Sequence, residues 1–214
     1  MAEFRPPVIE EVRFTPPLVA ILLIADYEKE ALVTASMGKG EAVEGLVRAT
    51  GLCGEAAEFA DEWAKWISLP KAELGSTAIV DKLKKELGDV MWYAATLSRW
   101  LKVETLGDFY GLQESAGRRQ FSDSAPVALM KAAGRAAEFM KKHVGHDKPL
   151  DGRELELMLD VWYCIAYCAN TIGLELCYVA ATNIAKLRAR HHGGGFTAAA
   201  QNAKADEATP ATVP

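Results

Sequence analysis

Two pairs of acidic residues share one spacing along this chain of 214 residues. Glu55 and Glu58 are three positions apart, and Glu86 and Asp89 repeat that spacing. On a helix this spacing places both carboxylates of a pair on one face. Carboxylates that lie close together repel one another, and a hard divalent cation relieves the repulsion. The acids are therefore candidate catalytic residues and ligands for Mg²⁺ or Mn²⁺. The alternative interpretation is a solvated helix face.

A glycine lies inside the second pair. Gly88 stands between Glu86 and Asp89, in a segment with helical periodicity. Glycine in a helix interior costs about 1 kcal/mol relative to alanine. Its presence predicts that another backbone or a ligand approaches the helix closely at this point. This favours a binding site over a solvated face.

The periodicity of the apolar residues is helical almost throughout, and strand patterns are scarce. We therefore predict an all-α fold. The predicted helices run from Leu18 to about Met37, from about Glu41 to Ile67, from about Ile79 to Leu101, from Glu104 to Glu114, from Ser124-Ala-Pro126 to about Val144, from about Arg153 to Thr171 and from Leu174 to Arg190.

The second and third predicted helices carry the acidic pairs. The connector between them, residues 69–78, contains Pro70 and Gly75 and is long enough for antiparallel packing. Antiparallel packing would bring all four carboxylates together at the edge of a buried seam. The buried stripe predicted for the second helix is Val43, Leu46, Val47, Cys53, Ala57, Ala60, Trp63 and Ile67.

Composition excludes several classes of function. The net charge of −5 disfavours binding to nucleic acid. The longest apolar run, Leu18 to Ile24, is too short to span a membrane, and the residues before it lack the pattern of a signal peptide, so we expect none. We expect a cytoplasmic protein without membrane or nucleic-acid partners. The cysteines show no CxxC spacing and are expected to be core thiols: Cys53, Cys164, Cys168 and Cys177.

Several segments resemble the MazG-like nucleoside triphosphate pyrophosphohydrolases. Gly51-Leu-Cys-Gly-Glu-Ala-Ala-Glu58 resembles their GLxGExGE signature, and Lys85-Glu-Leu-Gly-Asp-Val-Met-Trp-Tyr93 resembles ELGDVLWY. Asn183-Ile-Ala-Lys-Leu-Arg-Ala-Arg190, followed by Gly195-Phe196, is similar to the closing NxxKLxxR…GxF. Tyr27 to Ser36 resembles the leading helix. The resemblance covers most of residues 26–196. It implies an all-α enzyme that hydrolyses a nucleoside triphosphate to the monophosphate and pyrophosphate with Mg²⁺.

The chain departs from that family pattern in the acids. Gly54 stands where many relatives have a further glutamate, and Ala57 replaces the usual glycine. The first half has the acids and lacks the closing motif, whereas the second half has the closing motif and has lost acids. Of the second-half counterparts, Asp160 remains, and one of the two possible alignments of the halves also preserves Glu138.

The two halves also resemble each other. Leu52 to Glu58 aligns with Leu129 to Arg135, and a competing register aligns Gly54 to Phe59 with Gly134 to Phe139. The resemblance therefore implies a pseudo-dimer of related antiparallel-helix units packed as one domain. We assign residues 1–116 to the first unit, 117–196 to a degenerate second unit and 197–214 to a disordered tail.

The positions of the motifs imply one composite site. The first-half acids would hold Mg²⁺, while Asn183, Lys186 and Arg190 would bind phosphate oxygens from one face of the last helix. Lys65 is a further phosphate candidate. A water oriented by one of the glutamates would attack phosphorus. Asp160, with no metal to bind, would accept hydrogen bonds or pair with Arg135.

Other functions remain open at the level of sequence. Related all-α enzymes include dimeric dUTPases and phosphoribosyl-ATP pyrophosphohydrolases, whose carboxylate chemistry would look the same. A nucleotide-binding or scaffolding protein that has lost turnover would fit the eroded second half. The chain could act as a monomeric pseudo-dimer or as a homodimer.

Overall fold

The computed structural model describes residues 23–35, 41–70, 73–103 and 107–190. In these ranges the chain forms helices and no strand beyond an isolated bridge between Leu23 and Asp108. The predicted all-α class is confirmed. The helices are α1 Ile24–Val33, α2 Glu41–Ile67, α3 Thr77–Trp100, α4 Phe109–Arg118, α5 Ala125–Gly145, α6 Glu154–Ile172 and α7 Leu176–Arg190.

Packing of α2 against α3 positions the acidic pairs. Antiparallel contacts are evident because later residues of α2 meet earlier residues of α3. Gly45 lies against Trp100, and Gly51 lies against Tyr93. Helix α2 also packs on α5, α5 packs on α6, and α3 lies against α6. Helices α1 and α7 pack on α3, and α4 packs on α6. The acid-bearing face of α3 therefore lies between α2 and α7.

The two short helices begin later than the sequence predicts. Leu23 is extended, with φ −93° and ψ 133°, so α1 begins at Ile24 and not at Leu18. The backbone of Leu23 pairs with Asp108 instead of entering the helix. Before α4, Gly107 has φ 103°, a conformation that interrupts a helix. Asp108 then caps α4 by accepting a 2.8 Å hydrogen bond from the Gly111 amide.

The same two helices also end about four residues away from their predicted ends, α1 at Val33 and α4 at Arg118. The ends of the other helices agree with the structure within about two residues, the usual uncertainty of such boundaries. Helix α4 continues through residue 117, so the boundary assigned between the two units falls inside its last turn. The division into two units stays a prediction. Residues 18–22, 36–40 and 191–214, including Met37, Gly195-Phe196 and the predicted tail, lie outside the described residues.

The face of α2 that is buried differs from the predicted stripe. Val43, Val47 and Ile67 are 46%, 37% and 50% exposed. The buried residues follow a regular three-then-four spacing and face both α3 and α5. Trp63 is common to the two sets. The observed buried stripe is Ala49, Leu52, Ala56, Phe59, Trp63 and Trp66.

The lengths and apolar content of the described helices bear on membrane crossing. No single one is long and apolar enough to cross a membrane. Helices α6 and α7 together reach that length and composition, with an angle of 103° between them.

Candidate metal and phosphate site

Three of the four predicted acids meet between α2 and α3. One carboxylate oxygen each of Glu55, Glu86 and Asp89 lies within 4.8 Å of the others. Glu86 is buried, while Glu55 and Asp89 are half-buried. Glu58 lies on the exposed side of α2, outside this group. We call Glu55, Glu86 and Asp89 the carboxylate cluster.

The electrostatics of the carboxylate cluster are those of crowded acids. Burial, followed by the charges of Asp89, Glu58 and Glu86, raises the pKa of Glu55 to about 7, and Lys186 opposes that increase. Glu58 is therefore within electrostatic range although it points to solvent. A cation at this position would stabilise the ionised form of every acid in the cluster.

One oxygen of the carboxylate cluster lacks a protein partner. Glu86 Oε1 accepts a 3.1 Å hydrogen bond from Lys85, whereas Glu86 Oε2 is buried without any hydrogen-bond partner. A buried acceptor without a donor is costly. An all-oxygen set with one unsatisfied, buried carboxylate oxygen fits a hard divalent cation. The residues present therefore match the expected Mg²⁺ or Mn²⁺.

Helix α7 brings two of the predicted phosphate-binding residues to the same place. Lys186 Nζ and Asn183 Nδ2 both donate to Asp89 Oδ1, the latter at 3.1 Å. Asn183 Oδ1 accepts a 2.9 Å hydrogen bond from the Tyr27 hydroxyl. Tyr27 is fully buried, and burial together with the charge of Asp89 raises its pKa well above the ordinary value. The hydroxyl therefore stays protonated and orients the Asn183 amide, a role that sequence reasoning missed.

Close approach at Gly88 makes these contacts possible. A Cβ atom at Gly88 would lie 3.1 Å from both Cβ and Nδ2 of Asn183. The predicted close approach at this glycine is confirmed, but the approaching group is a side chain of α7 and not the predicted backbone or ligand. A second glycine, Gly51, leaves room for Tyr93, whose ring would overlap a Cβ atom there. Tyr93 is half-buried beside the carboxylate cluster, and burial followed by Glu55 raises its pKa.

The two other predicted phosphate ligands lie further out. Arg190 is half-buried at the end of α7. Lys186 has its pKa lowered mainly by burial, and the charge of Arg190 contributes to that lowering, so the two cations are close. The Lys65 side chain is 61% exposed and pairs with Glu62. Its predicted phosphate role would require a reorientation from that ion pair.

An open cleft adjoins the carboxylate cluster between α3 and α7. Its volume is about 340 Å³. Sequence reasoning missed the two α3 lysines in it. The signal was present, because Lys85 precedes Asp89 by four residues and so shares a helix face with it. We call this space the lysine cleft; it is lined by Asp81, Lys84, Lys85, Thr182, Asn183 and Lys186.

In the second half, Asp160 of α6 forms ion pairs with two arginines, one on α5 and one just after α4. Arg135 Nη2 and Arg119 Nη2 each lie 3.3 Å from an oxygen of Asp160. The predicted contact of Asp160 with Arg135 is confirmed.

The fold and the site define a class of protein: an all-helical chain with a half-buried carboxylate cluster beside a lysine-lined cleft. No family model and no solved structure matches the chain. It is 38% identical over 86 residues to the Gene 37 protein of Mycobacterium phage L5, and the match spans 38% of this chain and 75% of the phage protein. The chain belongs to the family of that phage protein.

Proposed function

We propose that this protein is a Mg²⁺-dependent nucleoside triphosphate pyrophosphohydrolase, which releases a nucleoside monophosphate and pyrophosphate. The observation that carries the proposal is the carboxylate cluster, in which Glu86 Oε2 is buried and unpartnered while a lysine and an asparagine of α7 contact Asp89. Asp89 is thus both a candidate ligand for the cation and the contact point of two donors that could bind phosphate oxygens. A solvated acidic face would not bury Glu86 in this way.

The residues that would hold the cation are Glu55, Glu86 and Asp89. The exposed Glu58 would add a fourth carboxylate if its side chain turned towards the cluster, since its charge already acts on Glu55. When bound, Mg²⁺ supplies neutralisation of the phosphate oxygens and of the charge that develops on pyrophosphate. The chain itself supplies positive charge through Lys186 and Arg190 and a directed amide through Asn183.

Hydrolysis forms a bond from a water oxygen to phosphorus and breaks the bond from that phosphorus to the leaving pyrophosphate oxygen. The water must lose a proton as it attacks. A glutamate of the carboxylate cluster would accept that proton, since the cluster places its carboxylates where the water would attack. Asn183 accepts a hydrogen bond from Tyr27 and donates one to Asp89, so it fixes the position of the Asp89 carboxylate.

The test is a measurement of pyrophosphate release from a panel of nucleoside triphosphates, with and without Mg²⁺. The panel includes dUTP and phosphoribosyl-ATP, so that selective turnover of either one identifies the corresponding related enzyme. Glu86→Gln should lower Mg²⁺-dependent turnover at least about a hundredfold. Glu114→Gln, an exposed acid on α4, is the matched control and should keep full activity. An active and equally metal-dependent Glu86→Gln protein would refute the metal site.

A second candidate is a nucleotide-binding protein without turnover. Gly54 favours it, because this position is exposed and lacks the glutamate of many MazG-like relatives, and nothing lies within 4 Å of the place a Cβ atom would take there. The same panel separates the candidates. Nucleotide binding without pyrophosphate release from any member of the panel would establish the binding protein.

A further inference from the structure

The lysine cleft contains two lysines, Lys84 and Lys85, that the proposed hydrolysis step does not use. Lys84 and Lys85 come from α3, and Lys186 faces them from α7. Thr182 and Asn183 add neutral polar groups to the same wall. A volume of about 340 Å³ lies within the range of small-ligand sites, so the cleft can accept a short chain of phosphates.

Each lysine of the cleft is held by an acid. Lys85 donates to Glu86 and Lys186 donates to Asp89, and both of these acids belong to the carboxylate cluster. A divalent cation held at the carboxylate cluster would repel both ammonium groups and would share the Glu86 and Asp89 carboxylates with them. Both contacts would weaken, and phosphate oxygens could then serve as partners of the two lysines.

Lys84 has a different acidic partner. It lies 2.6 Å from Asp81 Oδ1, and both residues line the cleft away from the carboxylate cluster. Lys84 and Lys85 are consecutive residues of α3 and both line the cleft, so its α3 wall carries a second positive charge beside Lys85. A single phosphate at the carboxylate cluster would meet Lys85 and Lys186, whereas a longer chain would also reach Lys84.

We propose that the lysine cleft binds the two terminal phosphates of the substrate, so that Lys84 and Lys85 select nucleoside triphosphates over shorter phosphate chains. This inference rests on the proposed function, since it assigns the leaving pyrophosphate to a place beside the same carboxylate cluster. It also predicts opposite effects of one substitution on two ligands. Removing the Lys85 ammonium takes away a positive charge that opposes cation binding at the carboxylate cluster. It also takes away a hydrogen-bond donor to the phosphate oxygens.

The experiment is a calorimetric titration of the full-length protein with Mg²⁺ alone, and then with inorganic pyrophosphate or inorganic phosphate in the presence of Mg²⁺. Lys85→Met should bind pyrophosphate at least about tenfold more weakly and bind Mg²⁺ alone more tightly. Lys84→Met should weaken pyrophosphate binding with a smaller effect on phosphate. Lys85→Arg should restore most of the pyrophosphate affinity.

Lys82→Met is the matched control, because Lys82 is an exposed lysine of α3 that does not line the cleft. It should leave both affinities within about twofold of the wild type. Unchanged pyrophosphate affinity in both cleft variants, in a protein that turns over triphosphates, would overturn this inference and leave the proposed function standing. Lysine-dependent pyrophosphate binding in a protein that hydrolyses no nucleotide would overturn the proposed function and keep the cleft as a pyrophosphate site.

Discussion

At the scale of single residues, the raised pKa of Glu55 links the carboxylate cluster to stability. The folded protein keeps this group protonated up to about pH 7, compared with the ordinary value of 4.5. Between these values the folded state binds more protons than the unfolded state, so the contribution of Glu55 to stability is lost as the pH rises from 4.5 to about 7. At pH 8 without metal, the ionised Glu55 therefore destabilises the fold.

We expect Glu55→Gln to raise the free energy of unfolding by about 1–2 kcal/mol at pH 8 without metal, after allowance for solvent screening. The gain should shrink as the pH falls towards 4.5, because the wild-type carboxyl then becomes neutral as well. Urea unfolding at a series of pH values measures the difference, with Glu114→Gln as the control. A variant less stable than the wild type at pH 8 would contradict the crowding of charges at this position.

Two glycines near the carboxylate cluster should respond oppositely to alanine. Gly54→Ala fills open space on a helix and should stabilise the protein by about 0.5–1 kcal/mol. Gly88→Ala places a methyl group 3.1 Å from Asn183 and should destabilise it by about 1–3 kcal/mol. Thermal unfolding of both variants tests the pair. Equal stabilisation by both substitutions would show that α7 does not need the close approach at Gly88.

At the scale of elements, the ion pair between α5 and α6 has a structural role in the second half. Its Asp160 carboxylate is 33% exposed and contacts both Arg119 and Arg135. Because these contacts are partly solvated, Asp160→Asn should lower the free energy of unfolding by about 0.5–1 kcal/mol. That is less than the same pair would contribute if it were fully buried.

Turnover per folded molecule should be almost unchanged in Asp160→Asn, because Asp160 contacts Arg119 and Arg135 and lies outside the carboxylate cluster. Parallel measurements of urea unfolding and pyrophosphate release separate the two effects. Normal stability combined with a hundredfold loss of turnover would mean that the second half takes part in catalysis. A divalent cation bound at Asp160 would carry the same meaning.

At the scale of the whole molecule, one chain contributes both parts of the candidate site. Asp89 and Lys186 are 97 residues apart in sequence and in direct contact. We expect that mixing inactive Glu86→Gln with inactive Lys186→Met protein restores no activity, because neither chain contains a complete site. Pyrophosphate release from the mixture, after an incubation that permits subunit exchange, is the measurement. Recovery of about a quarter or more of the wild-type rate would instead show sites shared between chains.

Local patterns in the sequence predict much of this fold. A three-residue spacing sets the relative direction of Glu86 and Asp89 on one helix, and that geometry holds wherever the helix packs. Helical periodicity likewise predicts the extents of α2, α3, α5, α6 and α7, because these helices are long and regular. It fails at α1 and α4. There, a backbone pairing of Leu23 and a positive φ at Gly107 decide where each helix begins.

The tertiary structure decides what depends on partners distant in sequence. Helix α2 offers more than one apolar stripe, and packing against both α3 and α5 buries the one that contains Phe59 and leaves Glu58 exposed. The lysine cleft exists only because α7 lies against α3 at Gly88. Periodicity fixes directions within one helix, whereas the rotation of a helix about its own axis is chosen by the neighbours that bury it. Residue spacing therefore predicted the acids, and packing assembled them with their lysines.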